Sequence, residues 1–216
     1  KWPMFDLKGR PILVIFGAGG ASRRIAEQYI EILRGMLHTD VLVHTVYKAS
    51  VLEAQQIDAL CATKGVGAVV AVGGGTVIDV AKYVVRLRGT PLLVIPSVLS
   101  SDCIASPVSV LETAIGKRES LASGIPSALI VDVSLTKTAP KRLTLSGVGD
   151  TVSNITALLD LEQYQAKYAE PVNGFARILS RSAYEIVLGV EGAEHDSIEF
   201  QRRLAIGLVL SGLAMS

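Results

Sequence analysis

Cysteine is nearly absent: Cys61 and Cys103 are the only two, far apart and in no Cys-x-x-Cys pair. That argues against a disulfide framework or a thiolate zinc site, and it predicts a reducing, cytoplasmic setting. Excess charge of either sign is missing too. Lys plus Arg exceed Asp plus Glu by one (21 against 20), and no basic stripe with interleaved aromatics appears, so neither nucleic acid nor a membrane surface is an expected partner. Long hydrophobic runs are also lacking. The longest, Leu204 to Met215, has 12 residues and is broken by Gly207, Ser211 and Gly212, against the roughly 20 that span a bilayer. It reads as a buried core helix. The first ten residues carry charges where a secretory leader needs an apolar centre, so none is expected there.

What is present is apolar bulk. Half of the 216 residues are hydrophobic and 19% are charged, the balance of a folded chain and not a disordered one. That length holds one large domain, or one and a half smaller ones.

The chain centres on Ala68 to Lys82, five apolar residues, then Gly73-Gly74-Gly75, then Thr76-Val77-Ile78-Asp79-Val80-Ala81-Lys82. This reads as a buried strand, a tight turn and the first turns of a helix. Glycine lets the backbone turn sharply and lets a ligand lie against it. Amide groups and the positive dipole end of the helix beginning near Thr76 would then favour a phosphate or pyrophosphate. Asp79 and Lys82, three apart, share a helix face. A turn that needs small residues only for close packing is the alternative. A Walker A loop is excluded, since no Gly-Lys-Ser/Thr follows.

Ahead of this lies Ile12 to Phe16, a first strand running into Gly17-Ala18-Gly19-Gly20-Ala21-Ser22, with a helix from Arg23 to about Leu37. Ser22 stands where the Rossmann fingerprint needs its third glycine, so this loop is ambiguous by itself. Val41–Val46 is the second strand and Val51 to about Lys64 the second helix, with Glu53, Gln55, Gln56 and Asp58 solvated. Pro91 to Pro96 is a further buried strand. Strand and helix alternate, which predicts a parallel sheet covered on both faces.

A hydroxyl-rich stretch follows, Ser97-Val98-Leu99-Ser100-Ser101-Asp102-Cys103-Ile104-Ala105-Ser106. At a strand's carboxyl end it falls where open α/β sheets bind ligands, or it is a loop whose Ser and Asp side chains cap their own backbone. Ala128 to Val133 reads as one more strand. Beyond Pro140 only helical periodicity remains, over Leu143–Leu161, Phe175–Leu188 and Phe200–Met215, with Asp150 at or near a helix start, where an N-cap is the plain structural alternative to a functional role. The expected architecture is α/β, a Rossmann-like parallel-sheet domain over residues 1–138 and the opening of an all-helical domain over 139–216.

In this order, Gly-Gly-Gly-Thr-Val-Ile-Asp-Val-Ala-Lys, Ile-Pro-Ser-Val-Leu-Ser-Ser-Asp-Cys-Ile-Ala-Ser-Pro, Ala-Pro-Lys-Arg-Leu and Gly-Val-Gly-Asp-Thr-Val-Ser-Asn-Ile-Thr-Ala-Leu-Leu-Asp resemble the metal-dependent alcohol and polyol dehydrogenases. The glycerol-1-phosphate dehydrogenase branch is the nearest match, from about Ile12 to the last residue. The resemblance implies that Gly74, Gly75, Thr76 and Asp79 hold the pyrophosphate of NAD or NADP. It implies that Ser97, Ser100 and Ser106 line the coenzyme, that Asp102 contacts substrate and that Asp150 is a metal ligand, with zinc expected. A homo-oligomer acting on a polyol or polyol phosphate is implied as well. Hydride would pass between nicotinamide and the carbon of a ketone or secondary alcohol.

Three departures stand out. Ser101-Asp102-Cys103 replaces the branch's usual His-Asp-Gly. The acidic residue for the adenosine ribose is missing after the first strand, with Arg23 and Arg24 close by, so NADP is as open as NAD. The family takes its other metal ligands from histidines on later helices, and His38 and His44, which flank the second strand, and His195, in a polar interhelix loop, do not match them. The resemblance therefore implies further ligands beyond Ser216, and it implies that the helical part is the beginning of a larger one. Such a piece would expose apolar surface. Two rival readings are a sugar-phosphate cyclase resembling 3-dehydroquinate synthase, told apart by net consumption of NAD(P)H, and a non-catalytic nucleotide-binding module.

Overall fold

A computed structural model describes residues 7, 9–37, 39–168, 173–190 and 192–215, so His38 lies outside the described residues. The chain divides into two compact units. One comprises Lys1–Ser97 with Val108–Ile130, the other Val98–Pro107 with Val131–Ser216. The hydroxyl-rich segment 98–107 therefore belongs with the helices and not with the strand that leads into it, and the chain passes to the helical unit at Ile130, ahead of Thr138.

The first unit is built on β1 (Ile12–Gly17), β2 (Val41–Val46), β3 (Ala68–Gly73), β4 (Leu92–Pro96) and β7 (Ala128–Leu129), in the spatial order β2-β1-β3-β4-β7 and parallel throughout. Near-continuous apolar runs suit such a sheet, because both faces are covered. Leu13, Val14, Ile15, Val69, Ala71, Val72 and Val94 are wholly buried. Helices α1 (Gly20–Met36), α2 (Val51–Lys64) and α3 (Gly75–Arg88) complete the alternation. On α3, Val77, Ile78, Ala81 and Val84 are buried, the face that helical spacing assigns to the core.

Three details depart from the sequence reading. A two-stranded antiparallel hairpin, β5 (Val108–Glu112) and β6 (Arg118–Ala122), occupies a stretch the periodicity left unassigned. The strand expected over Ala128 to Val133 shortens to Ala128–Leu129, because Asp132 caps a short helix α4 (Val133–Thr136) by accepting the Ser134 N–H at 2.9 Å. Glu53, expected in solvent, is buried; its two carboxylate oxygens accept the N–H groups of Tyr47 and Lys48, each at 2.7 Å.

The second unit holds α4, α5 (Lys141–Tyr168), α6 (Gly174–Leu188) and α7 (Ile198–Leu213), together with a single 3₁₀ turn, Asp102–Ile104. On α7, Phe200, Leu204, Leu208 and Ser211 are buried, a stripe at spacings of three and four. Leu145, Leu159, Leu161, Phe175, Ile178 and Leu188 are exposed on α5 and α6, so these helices carry apolar side chains left uncovered among the described residues. Among the described residues, no helix is long and apolar enough to cross a membrane.

Candidate active site

Within the sheet unit the strand order reverses between β1 and β3, whose registers set Phe16 beside Val72. The two glycine-bearing ends, Gly17 and Gly73, are therefore neighbours. This is the topological switch point, outside whose carboxyl ends open α/β sheets bind ligands. Gly73 itself answers to packing. A Cβ there would lie 2.7 Å from Cγ2 of Val77, so its absence lets α3 close onto the end of its strand. Gly74, in extended conformation (φ −96°, ψ −167°), is the N-cap of α3, and Gly75 is its first residue. Gly74 gives its carbonyl to the N–H groups of Val77 and Ile78. The amides of the helix's first turn have no carbonyl within the helix to meet, and Thr76 beside them is exposed. Ser97 ties its own N–H to the Gly73 carbonyl at 2.9 Å, fixing the end of β4 against this turn.

Asp79, expected to hold the coenzyme, is placed differently. It is 8% exposed, its Oδ2 accepts the Val110 N–H at 3.2 Å, and its Oδ1 pairs with Nζ of the fully buried Lys82 at 3.2 Å. Lys82 also donates to the Val108 carbonyl. Burial raises the Asp79 carboxyl above its ordinary range against the opposing pull of Lys82. The pair pins β5 to α3.

In the helical unit the 3₁₀ turn brings two predicted residues together. Asp150 lies well inside α5 and is not an N-cap, which corrects the sequence expectation. Its Oδ2 accepts the backbone N–H of Asp102 at 2.8 Å. The Asp102 carboxylate in turn accepts from Nδ2 of Asn154 at 3.0 Å and faces Oγ of Ser211 at 3.4 Å, while Asn154 also bonds Ser211. Asp150 and Asn154 are four apart, one above the other on α5. Neither Asn154 nor Ser211 was singled out from the sequence; Ser211 was read as an interruption of an apolar run. Their signal was a hydrogen-bonding side chain on the buried face of a helix, which needs a partner.

Ser100 is partly exposed, but Ser106, expected to line the coenzyme, is only 3% exposed. The reason is the close approach of α7. A Cβ on Gly212 would fall 2.7 Å from both the Asp102 carbonyl and the Ser106 amide. Gly212→Ala is therefore expected to cost about 1–3 kcal/mol through overpacking and to displace residues 102–106. Urea unfolding of the variant checks it, and an unchanged midpoint would remove this account of the loop.

Asp150 is pushed up to about 6, first by burial and then by the neighbouring Asp102, against the favourable Asp102 N–H. Two nearby carboxylates in partly dry surroundings are what a cation relieves, and a carboxylate is a hard oxygen ligand. Asp150 thus fits one position of a divalent metal site. Among the described residues, the group of three or more His, Cys, Asp or Glu close enough to share an ion is Glu194, His195 and Asp196, in the turn between α6 and α7, so no imidazole joins Asp150. His44 lies within β2, opposite Ile15, and not at its flank.

The raised value has a consequence for stability in metal-free protein. Folded Asp150 holds its proton more tightly than a free carboxyl of 3.8. Its contribution is fully present below about pH 3.8 and is lost as pH rises through about 6. Asp150→Asn should lessen that fall by on the order of 1–2 kcal/mol, after discounting for solvent screening. Urea midpoints at pH values on either side of this window test it; the same pH dependence in variant and wild type would contradict it.

Comparison with known proteins bears on the family and the fold. A family model described as iron-containing alcohol dehydrogenase matches residues 4–140. The glycerol-1-phosphate dehydrogenase [NAD(P)+] of Pyrococcus furiosus is 32% identical over 209 residues, covering 95% of this chain and 59% of the relative. That of Pyrococcus horikoshii is 33% identical over 215 residues, covering 96% and 59%. This chain thus spans less than two thirds of the length of those relatives. Among solved structures, a probable glycerol dehydrogenase from Sinorhizobium meliloti superposes with a TM-score of 0.76 at 22% identity, over 95% of this chain and 59% of the other. An iron-containing alcohol dehydrogenase from Thermotoga maritima gives 0.76 at 19% identity, over 97% and 62%. From the family model over residues 4–140 and the 32% identity over 95% of its length, the chain belongs to the iron-containing alcohol dehydrogenase family.

Proposed function

We propose that this chain supplies the coenzyme-binding portion and the first metal ligand of an NAD(P)-dependent, metal-assisted polyol dehydrogenase. Its substrate class is glycerol 1-phosphate with dihydroxyacetone phosphate, or a glycerol-like alcohol with its ketone. The observation that carries the reading is the helix-borne Asp150 fastened to the backbone of Asp102, because one contact fixes both a metal ligand and a substrate contact. The names of the relatives, which print glycerol 1-phosphate and NAD(P)+, support the substrate and coenzyme classes.

Each residue has a stated task. Gly74 and Gly75 leave the opening of α3 clear, so that its amides meet the coenzyme's pyrophosphate. Ser97, in the same unit as the glycine turn, offers a hydroxyl to the coenzyme. Asp102, oriented by Asn154 and Ser211, accepts a hydrogen bond from a substrate hydroxyl. Asp150 holds a divalent ion, zinc in this reading, with ligands from a longer chain; when bound, that ion polarises the carbonyl and steadies the alkoxide. Hydride passes to or from the nicotinamide.

The test is fluorescence titration of the chain with NADH and NADPH. Saturable binding is expected, and Gly75→Val should weaken it by about tenfold or more, since a branched side chain stands where the backbone must meet the ligand. No coenzyme uptake by a well-folded sample would overturn the reading. Net oxidation of NAD(P)H by the full-length protein with dihydroxyacetone phosphate separates the dehydrogenase from a cyclase, which regenerates its coenzyme.

A further inference from the structure

Beside the glycine turn lies a hollow of about 260 Å³ lined by Tyr47, Lys48, Ala49, Thr76, Glu112 and Arg118. All six belong to the sheet unit. Tyr47 and Lys48 directly follow β2, the place where a dinucleotide-binding fold commonly sets the carboxylate that bonds the ribose 2′-hydroxyl. No carboxylate stands at 47–49. The nearby acid, Glu53, is buried and faces inward, both oxygens occupied by the Tyr47 and Lys48 amides. That clamp fixes the backbone from which the Tyr47 and Lys48 side chains project.

The hollow's own charges favour an anion. Among the lining residues Lys48 and Arg118 are joined by one acid, Glu112, which stands opposite Arg118 across the hairpin and holds Nζ of Lys48 at 2.5 Å; Arg118 also acts on Asp79, a carboxylate already paired with Lys82. Two cations against one anion leave a positive balance, and Thr76 adds a hydroxyl beside the positive end of α3. Arg23 and Arg24 are not among the lining residues. We infer that this hollow receives the 2′-phosphate of NADP, with Lys48 and Arg118 as its cationic partners, so that the chain prefers NADP(H) to NAD(H). The inference rests on the coenzyme reading above and names which coenzyme it takes.

Equilibrium titration of the chain with NADPH, NADH, 2′,5′-ADP, 5′-ADP and inorganic phosphate tests it. NADPH and 2′,5′-ADP are expected to bind about tenfold or more tighter than NADH and 5′-ADP, the increment of a charge-assisted phosphate contact. Lys48→Gln with Arg118→Gln should erase that ratio and keep NADH affinity within about twofold, while Lys48→Glu should turn the preference toward NADH. Circular dichroism confirms that each variant folds. An equal affinity for the two coenzymes, or a preference that survives in the double variant, overturns the site and leaves the coenzyme reading standing. Inorganic phosphate competing as well as 2′,5′-ADP overturns it too, since the hollow would then serve any phosphate. Binding of neither coenzyme by folded chain overturns both.

Discussion

Asp150→Ala in the full-length enzyme is expected to lower metal-dependent turnover by about 10³-fold or more, the scale on which a Lewis-acid ion steadies developing charge. Coenzyme affinity should stay within about twofold, because Asp150 belongs to the helical unit and the glycine turn to the sheet unit. The alanine variant also removes the acceptor for the Asp102 N–H, so loss of activity alone leaves two causes. Asp150→Asn separates them. An amide oxygen still accepts that N–H, but the negative charge a cation needs is gone. Both variants should be inactive and low in bound metal. Activity close to wild type in Asp150→Asn would show that the carboxylate only braces Asp102.

Lys82→Ala carries the largest expected loss of stability, about 3–5 kcal/mol, because it strands the buried Asp79 carboxylate without its cation. Lys82 is fully buried, so no water replaces the ammonium at low cost. The Val108 carbonyl loses a donor as well. Lys82→Met combined with Asp79→Asn should recover much of the loss, as removal of both charges leaves nothing ionised to desolvate. Chemical denaturation of the single and double variants measures the difference. A single variant weakened by less than about 1 kcal/mol would mean that the pair is as weak as a surface contact. In this structure the Asp79 carboxylate is engaged by the hairpin and by Lys82.

Legibility followed periodicity and length. Ala68–Gly73 is apolar along its whole run, and a central parallel strand buried on both faces demands that pattern, so β3 could be read directly. Val51–Lys64 could be read because Ser50 caps it and accepts the Glu53 N–H. The β5–β6 hairpin was missed. Its Val108–Glu112 strand pairs with Arg118–Ala122, whose side chains are largely polar, so no apolar run marks it. Glu53 was misread because helical spacing places it near the solvent face, while the turn after β2 folds back over its carboxylate.

Local chemistry alone therefore determined the alternating strands and helices, the glycine turn before α3 and the shift to helices after Pro140, whereas Asp102 and Asp150 drew attention only through the family resemblance. Each of those local features depends on neighbours a few positions away, whose spacing the chain itself displays. Tertiary structure alone decided that Asp150 reaches the amide of Asp102, that Asn154 and Ser211 complete its surroundings, that Ser106 is covered by α7, and that Lys48 and Arg118 share a hollow with Thr76. These partners are separated by tens of residues, and only closure of the packed units brings them within hydrogen-bonding range, where a distance of about 3 Å decides what a side chain can do.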